Sequence, residues 1–151
     1  MEASDRTPVL MTELVLPQHT NTHGNIFGGV VMSWIDIAGA ISAMRYSRSP
    51  VVTVSIDSLH FIVPIKKGYT VRIHSNVTWA GKTSMEVEAL VEAENSITGE
   101  INKATQAYLT YVALDDENKP HPVPPFKARN DEEKRKFSEA LERRKRRLQY
   151  R

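Results

Sequence analysis

Residues His19–Met44, HTNTHGNIFGGVVMSWIDIAGAISAM, decide what this chain can be. After Gly24 the stretch is almost continuously apolar, yet it holds a glycine pair, Gly28-Gly29, and one carboxylate, Asp36, at its centre. Val30, Val31, Trp34, Ile35, Ala38 and Ile41 recur at helical spacing, and the remaining faces are mostly apolar as well. A helix apolar all round is wrapped by the rest of the fold rather than lying on its surface. A carboxylate inside it is strongly destabilising unless a partner is provided or the site uses the charge. The polar break Tyr46-Ser47-Arg48-Ser49-Pro50 ends the pattern.

Beyond Pro50 the period falls to two. Val51 to Ile65 (VVTVSIDSLHFIVPI) reads as a β-rich run broken by Pro64, with Lys66-Lys67-Gly68 as a turn. Val71, Ile73, Val77 and Trp79 alternate with Arg72, His74, Asn76 and Thr78. After the turn Ala80-Gly81-Lys82-Thr83, Met85, Val87, Ala89 and Val91 alternate with Glu86, Glu88 and Glu92. Such alternation belongs to antiparallel strands with one wet face. Asn95 to Gly99 turns the chain into a last long strand, Ile101 to Leu114, and Thr12 to Pro17 upstream predicts a short first strand. The order is strand, buried helix, then four strands joined by short turns. Burying both the helix and one sheet face requires an α+β chain in which an antiparallel sheet wraps one long central helix. Pro120, Pro122, Pro124 and Pro125 mark an irregular exit. Asn130 to Tyr150 then reads as a final helix, with Asn130 and Glu133 as a capping box and an acidic first turn. Its apolar stripe of Phe137, Ala140, Leu141 and Leu148 is narrow, so it is expected to pack weakly or against a neighbour. The chain thus divides into a body, residues 8–127, and a basic C-terminal helix, residues 128–151.

At 151 residues the chain makes one domain with a sizeable core. It contains no cysteine, which excludes disulfide frameworks, thiolate metal sites and thiol nucleophiles. The opening MEASDRTPVL lacks a basic segment followed by an apolar one, so the expected location is cytoplasmic. Ile26 to Met44 is near the minimum length of a membrane span, but the central charge of Asp36 argues against lipid. The net charge of +2 is uneven: Lys127 to Arg151 carries eleven Lys/Arg and five Asp/Glu, so the tail is +6 and the body −4. Any nucleic-acid partner would rest on that tail, and no aromatic platform accompanies its charge, so neither nucleic acid nor membrane is expected as a partner. His19 and His23 stand four apart in a loop without an acidic third ligand, so no metal site is expected.

A helix beginning near Gly29 places Asp36 two turns further on, on the same face and leaning back toward the glycines. The helix N-terminus offers free N–H groups and a positive dipole end, suited to a developing oxyanion. Glycine leaves that backbone open to close approach, and Asn25 just ahead adds a neutral amide. A carboxylate, an oxyanion donor and an amide around one cleft can hydrolyse an acyl group. The competing reading makes Gly28-Gly29 a turn and gives Asp36 a backbone or basic partner.

The string HGNIFGGVVMSWIDIAGAI closely resembles the helix signature of hotdog-fold acyl-CoA thioesterases, the acyl-CoA hydrolases of the bacterial short-to-medium-chain type. VTVSIDSLHFIVPIKKGYTV, WAGKTSMEVEALVEAE and ALDDENKPHPVPPF are similar to later blocks of that family, so the resemblance spans about residues 8 to 127. It implies the hotdog fold, pairing of two hotdogs edge to edge, often as a trimer of dimers (a homohexamer), and hydrolysis of acyl-CoA to free acid and CoA. On this resemblance Asp36 is the catalytic carboxylate, acting as general base on water or attacking the thioester itself. The Gly29 N–H would polarise the thioester carbonyl, and Asn25 falls where some members have a catalytic asparagine. The site would straddle two protomers. Thr53, Val54 and Ser55 would line the CoA arm, and Lys82, Thr83 and Ser84 would lie near the nucleotide phosphates. No cofactor is implied, CoA being part of substrate and product. A non-catalytic acyl-CoA sensor on the same fold is the alternative; retention of both Asp36 and Gly29 favours the enzyme.

Overall fold

The computed structural model describes residues 4–57 and 59–150. In chain order they form β1 (Val9–Leu14), a 3-10 turn (Pro17–His19), α1 (Gly28–Ser47), β2 (Val51–Asp57), β3 (Thr70–Ala80), β4 (Ser84–Glu94), β5 (Ile101–Ala113) and α2 (Asp131–Leu148). The strands make one antiparallel sheet in the order β1-β3-β4-β5-β2. Helix α1 packs across the sheet's inner face, the hotdog arrangement that the sequence implies.

The glycine pair opens α1, with Phe27 at its N-cap and no side chain closing that end. The helix stops where Arg48 turns left-handed (φ 54°) and donates its N–H to the Met44 carbonyl. Val31, Ile35 and Ala38 on α1 are fully buried against Val71, Ile73, Val87, Val91 and Leu109 of the strands. Hydroxyls pin the helix within this apolar core. Ser75 Oγ donates to the Ala38 carbonyl at 2.8 Å and takes a 2.6 Å bond from Ser42 Oγ, while Tyr46 OH donates to the Pro124 carbonyl at 2.8 Å. These three hydroxyls on Ser42, Ser75 and Tyr46 therefore have partners, without which their burial would be unfavourable.

Several expectations are corrected. The first strand starts three residues earlier than Thr12 and ends before Val15. The run from Val51 to Ile65 is strand only to Asp57. Strand β2 pairs with β5 at one edge, whereas β3 lies next to β1 at the other, so the chain must cross the sheet between them and no short turn suffices. Residues 59–65 form that irregular strap, tied by Ile62 N–H to the Ala104 carbonyl (2.7 Å) and by Ile26 N–H to the Ile65 carbonyl (2.7 Å). The second bond fixes the loop that leads into α1.

The C-terminal helix, expected to pack weakly or against a neighbour, buries little of its apolar stripe, Leu141 and Leu148 staying exposed. It lies on the outer face of the sheet, with Ala140 buried and Phe137 stacked on Phe126 at 5.5 Å. Charge supplies what the narrow apolar stripe lacks. Arg143 grips Glu86 with two bonds of 2.9 and 2.8 Å, Lys136 reaches Glu88 at 3.1 Å, and Arg147 reaches Asp57 at 2.8 Å. Glu86 is consequently 2% exposed, although its place in the alternating pattern predicted a wet face. The N-cap forms as expected, Asn130 accepting from the Glu133 N–H at 2.9 Å, but the Glu133 carboxylate takes the N–H of Arg129 instead of completing the box.

One flank of α1 is not wrapped at all. Met32 and Ile37 stand exposed there, as do Val52 and Val54 on the edge strand β2. Among the described residues no helix is long and apolar enough to cross a membrane.

Candidate active site

Asp36 projects from the middle of α1 and is half-buried, less enclosed than the sequence suggests. Two hydroxyls converge on one of its carboxylate oxygens. Thr53 Oγ1, from β2, donates to Oδ1 at 2.7 Å, and Tyr111 OH, from β5, lies 2.9 Å from the same oxygen. Among the described residues neither a basic side chain nor a backbone N–H partners the carboxylate; its partners are the two hydroxyls. Thr53, assigned by resemblance to the CoA arm, gives its hydroxyl to the carboxylate.

Tyr111 was not singled out in the sequence. It is fully buried, and its hydroxyl also lies 2.9 Å from the Asp36 carbonyl oxygen. Burial first, then the Asp36 charge and the hydrogen bond to it, push its pKa well above the tyrosine range, so it stays a neutral donor. Opposite it sits Gly39, where an added β-carbon would collide with the Tyr111 hydroxyl.

The helix N-terminus forms a second cluster. With no side-chain cap and no acidic residue in the first turn, the positive end of α1 is uncompensated. Gly29 is exposed and a β-carbon there would meet nothing within 4 Å, so the backbone there is open to close approach. Asn25 precedes it and lines a cavity of about 240 Å³ with Gly28, Phe61, Ile62 and Val63. The loop is shaped by another residue missed in the sequence, Asn21, whose Oδ1 accepts the N–H groups of His23 (2.9 Å) and Asn25 (3.2 Å). His19, weighed earlier as a ligand, uses Nδ1 to accept the Leu16 N–H and sets its ring edge-on to Trp34.

Seven residues separate Gly29 from Asp36, about 10 Å along a helix. Within one chain, therefore, the carboxylate and the N–H are not adjacent. Lys82 and Thr83 lie in the β3–β4 turn and Ser84 opens β4, so all three lie elsewhere again, at the end of the sheet where β2 begins. There Ser84 pairs with Val112, which pairs with Val52. Along β2 the register slips between Thr53 and Ser55, leaving Val54 as an extra, exposed residue at the open edge.

A long central helix wrapped by a five-stranded antiparallel sheet, with a C-terminal helix behind it, is the architecture of a hotdog-fold thioesterase. The chain belongs to the Thioesterase superfamily, whose family model matches residues 23–100. It is 45% identical over 125 residues to a Bacillus subtilis protein described as an uncharacterized acyl-CoA thioester hydrolase, covering 83% of this chain and 73% of that one. It is 35% identical over 130 residues to the acyl-CoA thioester hydrolase of Salmonella typhimurium, covering 82% of this chain and 98% of the relative. Among solved structures, an apo-hexameric acyl-CoA thioesterase superposes with a TM-score of 0.91 at 40% identity, over 99% of this chain and 96% of the other. An acyl-CoA hydrolase of Staphylococcus aureus, in complex with butyryl coenzyme A, coenzyme A and coenzyme A disulfide, gives 0.89 at 37% identity, over 99% and 91%.

Proposed function

We propose that this enzyme, an acyl-CoA thioester hydrolase, cleaves its substrate to free acid and CoA with Asp36 as the reacting carboxylate. The observation that carries the proposal is the Asp36 carboxylate itself, held by hydroxyls through Oδ1 on a flank of α1 that the chain's own sheet leaves bare. Asp36 either takes a proton from water, whose oxygen adds to the thioester carbonyl, or adds to that carbon itself, in which case water then hydrolyses the mixed anhydride, restoring the carboxylate, releasing the free acid and supplying the thiolate's proton. The oxyanion formed is met by the Gly29 N–H, and its collapse breaks the C–S bond. CoA leaves as a thiolate that acquires the proton.

The separation of about 10 Å between Gly29 and Asp36 argues for two copies, the carboxylate of one facing the helix N-terminus of the other. The bare apolar flank and the open edge of β2 supply the surface for that pairing. Hexameric relatives, including a thioesterase of Yersinia pestis, support a trimer of dimers. Solved variants of the Staphylococcus aureus enzyme replace an asparagine, an aspartate and a threonine at its positions 28, 43 and 60, hence 15 and 17 residues apart. Asn21, Asp36 and Thr53 are spaced identically here. That spacing favours Asn21 over Asn25 as the amide of the site, with Asn25 left to line the neighbouring cavity. Thr53 then acts through Asp36, while Val54, Ser55 and the Lys82–Ser84 turn remain the surface for the CoA arm and its phosphates. A cytoplasmic location fits a relative named as cytosolic in mouse.

Release of free CoA from acetyl-, butyryl-, octanoyl- and palmitoyl-CoA tests this, comparing the native chain with Asp36→Asn. Turnover that collapses in the folded variant supports the assignment and ranks the acyl chains. Tight binding without release by the native chain would make the protein a sensor and refute it.

A further inference from the structure

Resting on the assignment of Asp36 as the reacting carboxylate, we propose that Tyr111 and Gly39 are positioning residues: the phenol fixes the carboxylate, and the glycine exists to admit the phenol. Tyr111 comes from β5, 75 residues along the chain from Asp36, and its hydroxyl reaches both Oδ1 and the backbone carbonyl of Asp36 at 2.9 Å. The ring alone would fill the core equally well as phenylalanine. What tyrosine adds is an O–H beside the carboxylate, in a place where a hydroxyl without partners would be unfavourable.

Gly39 gives independent support. Glycine inside a helix is less favourable than alanine, and this one lies in the middle of α1 with an ordinary helical backbone. A β-carbon there would collide with the Tyr111 hydroxyl and stand 3.1 and 3.2 Å from two ring carbons. The helix therefore gives up propensity at the one position where the phenol must enter. Thr53 and Tyr111 both address Oδ1, and Oδ2 takes no bond from any described residue. The carboxylate is thus locked by one oxygen and presents the other to water or to the thioester carbon.

The test measures kcat and KM for butyryl-CoA by thiol release, with the melting midpoint of each protein, for the native chain, Tyr111→Phe, Gly39→Ala, the double variant and Asp36→Asn. Tyr111→Phe is expected to lower kcat roughly tenfold, the scale of one hydrogen bond to a charged group, with KM nearly unchanged. Gly39→Ala should fall to a similar level, and the double variant should be no worse than the poorer single one, since both act through one bond. Native kcat in Tyr111→Phe, or losses in the two single variants that multiply, overturns the positioning role. A lowered melting midpoint with native kcat overturns it too, marking a merely structural hydroxyl. Full turnover by Asp36→Asn, in contrast, refutes the assignment of Asp36 itself and removes the basis for the inference.

Discussion

Replacing Arg143 with methionine tests how α2 is held. The Glu86 side chain is 3% exposed and that of Arg143 14%, and the two share a bidentate pair of 2.9 and 2.8 Å. The guanidinium also lies 3.6 Å over the Tyr108 ring. Without it, among the described residues Glu86 keeps only the Thr78 hydroxyl, 2.6 Å from Oε1, as a side-chain donor. An uncompensated buried carboxylate costs about 3–5 kcal/mol, which in a domain of this size lowers the melting midpoint by roughly 6–20 °C. Removing both charges, as Glu86→Leu with Arg143→Met, should recover most of the loss, because well-packed apolar groups replace buried ion pairs at little cost. Urea unfolding followed by circular dichroism, at one protein concentration for all variants, measures both numbers. A single variant within about 1 kcal/mol of the native chain, or a double variant no better than the single, would refute the account of a sequestered pair.

Thr53→Val removes the other hydroxyl on Oδ1 and should lower kcat for butyryl-CoA by roughly tenfold, while Thr53→Ser restores most of it. Ser75→Ala leaves the Ala38 carbonyl and Ser42 without their shared partner, and is expected to cost about 1–3 kcal/mol in urea unfolding. The high pKa of Tyr111 means the folded state holds this proton more tightly than the unfolded chain. That stabilisation is complete below pH of about 10 and is lost as the pH rises further, so unfolding free energy should fall on the alkaline side. The fall should be shallower in Tyr111→Phe.

What could be read from the chain was local. The limits of α1 follow from Gly28-Gly29 and from the break before Pro50, and β3 and β4 follow from alternation around a turn at Gly81. The place of β2 at the far edge could not be read, because its partner β5 lies some fifty residues on and a two-residue period does not say which strand pairs with which. Glu86 looked wet because alternation reports the sheet alone, and the helix that covers it arrives from the end of the chain. Within the site, Asp36 and the open helix start were legible as chemical oddities. Tyr111 was hidden by sequence distance, yet Gly39 was a signal: a glycine inside an otherwise strong helix pattern asks what approaches it. Asn21 looked like any loop asparagine, its spacing to Asp36 carrying no physical rule.

The sheet order has a consequence for how the molecule comes together. Strands β3, β4 and β5 follow one another through tight turns, while β1 reaches β3 only across a stretch that includes the whole of α1, and β2 reaches β5 only across β3 and β4. Closing those long loops is entropically slow, which places the central meander early and the two edges last. Thr53 rides on one of those late edges. Loss of β2 from the sheet would therefore strip Asp36 of Thr53 while Tyr111, on the intact meander, kept its hold, and the amides of β2 should exchange with solvent faster than those of β4.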